Sequence, residues 1–300
     1  MPKKTSATTP KQKNSKSVKA AKPTSSTKIL NEEKPKSSSK RESGDLAEAS
    51  KLFAGALELH LQGKLQEAWA QYQEVIKLDP RHFDAIHSLG LIAAQMGNYQ
   101  MAITLFEQAV GINPKSPQVH NNMANALASM GKGAEAILEY NQAVTLEPRY
   151  AEAFNNRGIL QRGLKRLQEA VDSYSQAIAI NPGFAEAYFN RGNALAELRQ
   201  LIPAIQSYDS AIELNAMHAA ALNNRGVILR SLKKADLALK NFDRAIAAKP
   251  DYIDAHSNRG YALLDLGQIS EALASFEQAL ALKPDFASAL EGKSLALKLG

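Results

Sequence analysis

The sequence has no cysteine, which excludes a disulfide scaffold, a thiolate metal site and a cysteine nucleophile. Aromatic residues are also scarce, at 6% of 300 residues with a single tryptophan, Trp69. No apolar run approaches the ~20 residues that a membrane-spanning helix needs. Residues 1–30 contain no apolar stretch that resembles the core of a signal peptide. We therefore expect a cytoplasmic protein with no membrane partner.

Motifs that carry catalysis or cofactor binding are missing as well. The six histidines fall at unrelated positions and form no HExxH motif or other metal-ligand spacing. No glycine-rich phosphate loop follows a strand, because the sequence predicts no strand. We expect no catalytic residue, no cofactor and no metal site, and hence no enzymatic activity in these residues.

Charge divides the chain into two segments. Residues 1–43 carry a net charge of +9 and consist largely of Lys, Ser, Thr and Pro, whereas the other residues carry −3. A segment with so few large apolar residues cannot bury enough surface to offset its conformational entropy. We predict that residues 1–43 are a disordered basic tail and that residues 44–300 are folded. The tail is compatible with sequence-independent nucleic-acid binding, with a purely solubilising role, or with docking into an acidic groove of the same chain.

The folded segment repeats itself every 34 residues. Proline recurs at this interval, at Pro80, Pro114, Pro148, Pro182, Pro250 and Pro284, and Ala216 stands where the series lacks one. With this proline placed at position 32, the chain divides into seven units, which are 49–82, 83–116, 117–150, 151–184, 185–218, 219–252 and 253–286. A period of this length is typical of stacked repeat architectures.

Small and aromatic residues recur at fixed positions of these units. Position 8 is always Gly or Ala, position 20 is always Ala, and position 24 is always Tyr or Phe. Small residues allow two helices to approach closely, an aromatic ring fills the space beside them, and proline ends the second helix. The pattern predicts a helix–turn–helix in every unit.

These residues resemble the tetratricopeptide repeat (TPR) family over residues 49–286. The resemblance implies an all-α fold, a right-handed α-solenoid of about seven helix–turn–helix units. Residues 287–300 are expected to form a C-terminal capping helix with a polar outer face. Gly is usual at position 15 of such repeats, but three units have Lys165, Arg199 and Lys233 there. We expect turns of a different shape at these positions.

A four-residue motif, NNRG, occurs at residues 155–158 and 223–226 and has the variants FNRG at 189–192 and SNRG at 257–260. Its glycine is the close-packing residue of position 8, and its arginine is expected to pair between repeats. Position 6 is asparagine in five consecutive units, at Asn122, Asn156, Asn190, Asn224 and Asn258. We call these five residues the ladder, since they resemble the asparagine ladder in the TPR region of O-GlcNAc transferases. Such amides can bond the main chain of an extended peptide, or can bond within or between repeats.

In TPR proteins, positions 2, 6, 9 and 13 face a concave groove, which implies a peptide-binding surface in this chain. We predict that the ladder is joined there by Asn125, Asn193, Asn155, Asn223, Glu152, Glu186 and Tyr261. Phe189 is expected to offer a further apolar contact. Other carboxylates are Asp84, Asp254, Glu197 and Asp265, and Arg162 and Arg230 are local exceptions in charge. A neutral-to-acidic groove favours neutral or basic peptides. The Lys and Arg residues with which other TPR proteins clamp acidic tails are absent from every unit.

The resulting hypothesis is a non-enzymatic scaffold or adaptor that binds an extended segment of a partner protein. The units also look like those of bacterial TPR proteins whose repeats precede a glycosyltransferase domain of the O-GlcNAc-transferase type. That resemblance implies an alternative role, as the substrate-recognition region of such an enzyme with the catalytic domain outside this chain. Nucleic-acid association through residues 1–43 is a third hypothesis.

Overall fold

A computed structural model describes residues 36–300, and the side chains of residues 44–300. Within this range the chain consists of fifteen α-helices and contains no strand. The helices are α1 (Lys36–Leu61), α2 (Leu65–Leu78), α3 (Phe83–Gln95), α4 (Tyr99–Ile112), α5 (Pro117–Ser129), α6 (Gly133–Leu146), α7 (Ala151–Gly163), α8 (Leu167–Ile180), α9 (Ala185–Glu197), α10 (Leu201–Leu214), α11 (Ala219–Ser231), α12 (Ala235–Ala248), α13 (Ile253–Asp265), α14 (Ile269–Leu282) and α15 (Ala287–Leu299). Residues Asp45–Gly300 form one compact unit. The predicted all-α fold is confirmed, and none of the described helices is long and apolar enough to cross a membrane.

The helix pairs coincide with the predicted repeats. From the second repeat onward, each first helix begins at position 1 and each second helix begins at position 17. Pro117 is the first residue of α5, and Pro203 lies in the first turn of α10, where no helical hydrogen bond is lost. The first repeat differs, because α1 begins at Lys36, inside the segment 1–43 that the sequence predicts to be disordered. No proline follows Pro35 within this helix to interrupt it; residues 1–35 lie outside the described residues.

The repeats stack in chain order to form an α-solenoid. Every helix from α3 to α14 packs against the helices that precede and follow it. First helices of successive repeats also contact each other directly, from α3 and α5 to α13 and α15, whereas second helices do not pack together to a comparable extent. The first helices therefore lie on the inner side of the curved stack. We call the inner surface formed by their positions 2, 6, 9 and 13 the groove.

The two helices of a repeat meet where position 8 touches the ring at position 24. All position-20 alanines have no exposed surface, and every position-24 ring is at most 3% exposed. A Cβ atom placed on Gly192 would lie 2.6 Å from the ring of Tyr208, and one on Gly158 would lie 2.7 Å from the ring of Tyr174. The same conflict arises at Gly90, Gly226 and Gly260. Glycine is needed here because the ring lies directly against the helix backbone.

The turns inside the repeats keep one shape whichever residue stands at position 15. The glycines there have φ between 74° and 77°, and Lys165, Arg199 and Lys233 have φ of 60° or 61°. The backbone bonds agree as well, since Lys165 N–H donates to Arg162 O at 3.0 Å and Gly97 N–H donates to Ala94 O at 3.0 Å. The expectation of differently shaped turns is wrong. The three non-glycine residues instead accept a left-handed conformation that costs roughly 1–2 kcal/mol each.

The second helices end at the same position even where proline is missing. Asn215, before Ala216, has φ −140° and ψ 93°, close to the φ −127° and ψ 91° of Asn181, which precedes Pro182. The Asn215 side chain accepts a hydrogen bond from Met217 N–H at 3.1 Å. An asparagine that bonds its own loop therefore ends the helix without the steric effect of proline.

The outer face of α15 is mixed, with the expected polar residues beside exposed leucines. The polar residues Glu291, Ser294 and Lys298 are exposed there, together with the apolar residues Leu290, Leu295, Leu297 and Leu299. Ala289, Gly292 and Ala296 are buried on the opposite side of the helix.

The contact between glycine and ring predicts that Gly192→Val destabilises the protein. Its side chain would overlap the Tyr208 ring, and overpacking of this kind costs roughly 1–3 kcal/mol. Gly111→Val is the matched control, because a Cβ atom there meets no atom within 4 Å. Urea unfolding followed by circular dichroism should show a lower midpoint for Gly192→Val alone. Equal midpoints for the two variants would contradict this explanation of position 8.

Glycine at the strained turns is predicted to stabilise the protein. Arg199→Gly and Lys233→Gly should each raise the free energy of unfolding by about 1 kcal/mol, because glycine adopts positive φ without a Cβ penalty. Lys240→Gly, in the exposed interior of α12, should instead lower it by about 1 kcal/mol. The same urea titration measures all three variants, and a loss of stability in the two turn variants would show that their side chains are not strained.

Candidate functional site

The ladder side chains are held by hydrogen bonds from one repeat to the next. We call each ladder asparagine a rung. In three of the five rungs the Nδ2 atom donates to the Oδ1 atom of the asparagine at position 5 of the preceding repeat. These bonds join Asn156 to Asn121 at 3.2 Å, Asn190 to Asn155 at 3.2 Å, and Asn258 to Asn223 at 3.0 Å. The amide plane of each rung is therefore oriented by its neighbour, with the nitrogen toward the preceding repeat.

The other two rungs use different acceptors because position 5 differs. Asn122 Nδ2 lies 2.9 Å from Nε2 of His87, the position-5 residue of the second repeat. Position 5 of the fifth repeat is Phe189, and Asn224 Nδ2 donates instead to Asn193 Oδ1 at 2.9 Å. All five rungs thus donate to the preceding repeat.

Each rung keeps hydrogen-bonding capacity after this bond is made. An asparagine amide has two N–H donors and one carbonyl acceptor, and the bond to the preceding repeat uses one donor. The Oδ1 atoms of Asn156, Asn190 and Asn258 accept no hydrogen bond from the described residues, and these side chains are half-buried. The two roles that the sequence left open are therefore compatible, since bonds between repeats are present and free donors and acceptors remain.

Asn155 and Asn223 lie behind the ladder. They are 6% and 5% exposed, and their Oδ1 atoms accept the bonds from Asn190 and Asn258. The expectation that these two side chains widen the groove surface is thereby corrected. They support the rungs because position 5 points toward the next repeat and away from the groove.

Position 9 meets the ring of the same repeat. Tyr208 Oη donates to Asn193 Oδ1 at 2.8 Å, and Tyr140 Oη donates in the same way to Asn125. Burial raises the pKa of Tyr208 to about 12, so the hydroxyl keeps its proton and remains a donor. Tyr174 faces Ile159 at position 9 instead, and its buried hydroxyl has no partner among the described residues. Asn125 is exposed in the groove and Asn193 is half-buried.

The basic exceptions in the groove are neutralised by the following repeat. Arg162 and Lys165 contact Glu197 at 2.6 and 3.0 Å, and Arg230 contacts Asp265 at 2.6 Å. Burial raises the pKa of Glu197, but the bonds from Lys165 and Arg162 outweigh it and hold the pKa below its ordinary value.

The carboxylates that remain are exposed at position 2. They are Asp84, Glu152, Glu186 and Asp254. Of these, Glu186 Oε1 lies 3.5 Å from His218 Nε2, and the other three form no ion pair within residues 44–300. The groove therefore has a net acidic character at its position-2 edge.

Three of the four position-7 arginines join adjacent repeats, and none of the four enters the groove. Arg157 donates to Ser173 of its own repeat at 3.1 Å and to Asn141 of the preceding repeat at 2.9 Å. Arg225 and Arg259 also bond both repeats, and Arg191 bonds Ser207 of its own. The predicted structural pairing is confirmed for Arg157, Arg225 and Arg259.

Tyr261 has a structural contact that the sequence did not indicate. Its hydroxyl donates to the backbone oxygen of Ser288 in α15 at 2.8 Å, and the Arg230 guanidinium lies 5.0 Å from its ring centroid. Phe189 is similarly engaged, with its ring 4.7 Å from the ring of His218. Both predicted apolar contacts are thus half-buried side chains that already pack against the protein.

The structure also has a depression in the groove that sequence reasoning missed. It lies between the third and fourth repeats and has a volume of about 420 Å³. It is lined by Asn125, Ala128, Ser129, Tyr140, Asn156, Ile159, Leu160 and Gly163. We call it the pocket. Its sequence signal is the small residues at position 13 of two successive repeats, Ser129 and Gly163. In residues 36–300, no three His, Asp or Glu side chains are grouped as metal ligands.

The contact between Asn122 and His87 predicts a pH-dependent stability. The Asn122 amide nitrogen can only donate, so His87 Nε2 must be unprotonated, and burial lowers the pKa of His87 although Asp84 opposes this. Because the folded pKa lies below the unfolded value of about 6.5, the unfolded state binds more protons as the pH falls, and the folded state is destabilised.

His87→Asn should remove this part of the pH dependence and still provide an acceptor of the type found at Asn121 and Asn155. Urea midpoints measured at about pH 7.5 and about pH 5.5 should fall further on acidification for the unsubstituted protein than for the variant. An equal fall in both proteins would mean that His87 is not the residue responsible.

Comparison with known proteins gives a single family. A model described as TPR repeat matches residues 56–97, 90–131, 124–164, 162–198 and 226–267. Models described as tetratricopeptide repeat match residues 185–216 and 253–286. No protein with a curated description matches the chain.

Several solved structures share the fold. YrrB, described as a TPR protein with an unusual peptide-binding site, is 25% identical with a TM-score of 0.54, and the match covers 63% of this chain and 97% of YrrB. MamA is 24% identical with a TM-score of 0.52 and coverage of 57% and 93%. PilF of Pseudomonas aeruginosa is 18% identical with a TM-score of 0.63 and coverage of 73% and 99%.

The stacked helix pairs, the glycine–ring contacts and the family models agree over more than half of the sequence. The fold is one that generally serves as a scaffold for protein–protein interaction. The chain belongs to the tetratricopeptide repeat family.

Proposed function

We propose that this chain is an adaptor that binds an extended segment of a partner protein in the groove, with the ladder bonded to the main chain of that segment. The observation that carries the proposal is the hydrogen bonding of the ladder amides. Each amide is oriented by the preceding repeat and still has a free N–H donor, and three rungs have a free carbonyl.

Pre-orientation favours binding because it lowers the entropy lost when the complex forms. An immobilised side chain costs roughly 0.5–1.5 kcal/mol on binding if it is free to rotate beforehand. The ladder amides are already held by a hydrogen bond, so much of this cost falls on folding. Contacts to main-chain groups give affinity with little dependence on side-chain sequence.

The charge of the groove defines the class of partner segment. Arg162 and Arg230 are paired with acids of the next repeat, which leaves the position-2 carboxylates as the available charges. Complementary charge favours association and like charge opposes it. We therefore infer that neutral or basic segments bind and that acidic segments do not.

YrrB supports the proposal as a similar protein whose description includes peptide binding. The other roles expected from the sequence stay predictions. No contact among the described residues favours a role in substrate recognition for a glycosyltransferase. The basic residues on which nucleic-acid association would depend lie mostly in residues 1–35, outside the described range.

The test removes three rungs from the full chain with Asn156→Ala, Asn190→Ala and Asn224→Ala combined. Ligands are first selected from a displayed library of random peptides, and affinities of the synthetic peptides are then measured by fluorescence anisotropy. Each lost hydrogen bond is worth about 1 kcal/mol, so the triple variant should bind at least about tenfold more weakly.

The matched control is Asn113→Ala, Asn181→Ala and Asn215→Ala combined. These asparagines each accept one backbone hydrogen bond, in the loops that follow second helices. The control removes the same residue type at three sites and loses three hydrogen bonds away from the ladder, against four in the ladder variant. It should keep the affinity of the unsubstituted protein, and equal affinities in all three proteins would reject the role of the ladder.

A further inference from the structure

We propose that the pocket between the third and fourth repeats is a specificity site that accepts one aliphatic side chain, of leucine or methionine size, from the bound segment, with a basic residue nearby in that segment. This inference rests on the proposed function and adds to it, since the ladder alone would accept many sequences.

The pocket combines an apolar floor with an amide rim. Ile159 is 49% exposed, which leaves a large apolar side chain without cover on the inner surface. Ala128 and Gly163 add small apolar surface beside it. At the rim, Asn156 has a free carbonyl, and Asn125 uses its own carbonyl to accept from Tyr140 and leaves its amide N–H groups free. A main chain bonded to Asn156 would place a neighbouring side chain over Ile159.

Two other repeat junctions have an ion pair in the equivalent space. Between the fourth and fifth repeats, Arg162 at position 12 is paired with Glu197 at position 13 of the next repeat. Between the sixth and seventh repeats, Arg230 and Asp265 form the same pair. At the pocket the equivalent residues are Ala128 and Gly163, which carry no charge and little volume. The space is open at the pocket because the ion pair that crosses these two junctions is missing there.

The charge next to the pocket explains why we expect a basic residue in the bound segment. Glu152 precedes Asn156 by one helical turn on α7, so both lie on the groove side of that helix. Glu152 is exposed and forms no ion pair within residues 44–300. The nearest basic groove residue in the same helix, Arg162, is already bound to Glu197. An unpaired carboxylate beside an apolar site is complementary to a segment that carries an aliphatic residue and a Lys or Arg.

The experiment closes the pocket by copying the neighbouring ion pair. Ala128→Arg combined with Gly163→Glu, in the full chain, introduces the pair seen at Arg162 and Glu197. The fold should tolerate it, because α9 and α13 already end with acidic residues at this position. The control is Ala196→Arg combined with Ser231→Glu, which introduces the same pair at the junction between the fifth and sixth repeats and leaves the pocket unchanged.

Binding is measured by fluorescence anisotropy with short peptides of a Ser/Thr background that contain one lysine. One central residue is varied among leucine, methionine, alanine and glutamate. We expect the unsubstituted protein and the control to bind the leucine and methionine peptides about tenfold more tightly than the alanine peptide. The closed variant, Ala128→Arg with Gly163→Glu, should bind the leucine and alanine peptides equally. Its affinity for the alanine peptide should equal that of the unsubstituted protein. Glu152→Gln should reduce the preference for the lysine-containing peptides over the same peptides with glutamine.

The outcomes separate this inference from the function on which it rests. If peptides bind in a ladder-dependent way without a preference for leucine, or if the closed variant keeps that preference, the pocket is not a specificity site and the adaptor function stands. If no peptide binds, both proposals fail.

Discussion

The close approach of an aromatic ring to a glycine backbone is the contact on which the rest of the solenoid depends. A methyl group at position 8 of five repeats would lie between 2.5 and 2.7 Å from the ring at position 24. This contact sets the distance between the two helices of a repeat, and the buried alanines at position 20 keep the distance short. Because the buried alanine at position 20 and the buried ring at position 24 recur in all seven repeats, each first helix is presented to the next in the same register.

That common register allows side chains about 35 residues apart to bond one another. Asn190 reaches Asn155 and Asn258 reaches Asn223 over the same sequence separation. The position-7 arginines act on the other side of the first helix, where Arg157 bonds a serine of its own repeat and an asparagine of the preceding one. Helix packing thus sets the positions at which bonds between repeats can form. Packing and these bonds together orient the amides of the groove.

The sequence predicts the architecture well because every repeat contributes evidence for the same pattern. The ladder column and the pairing role of Arg157, Arg225 and Arg259 followed from position within the repeat. The burial of Asn155 and the contact between Tyr261 and Ser288 did not, because they depend on the distance between helices of different repeats. The turn at Lys165 was mispredicted because the backbone hydrogen bonds that close it are those of the glycine turns, and they require the left-handed backbone that its side chain disfavours. The pocket results from missing side chains at two positions 35 residues apart, and only the stacked structure brings those positions together.

The ladder carbonyls differ in whether they already accept a hydrogen bond, and this difference bears on how a segment in the proposed complex would be positioned. A perfectly periodic column would let a ligand slide by one repeat and recover every bond, so its placement would be degenerate. Here Asn156, Asn190 and Asn258 offer a free carbonyl, whereas those of Asn122 and Asn224 already accept from Asn121 and Asn223. In the proposed complex, each translation by one repeat would set some main-chain N–H groups against carbonyls that already accept one hydrogen bond. The irregularity at position 5 therefore breaks the translational symmetry of the groove, and in the proposed complex it would favour one frame.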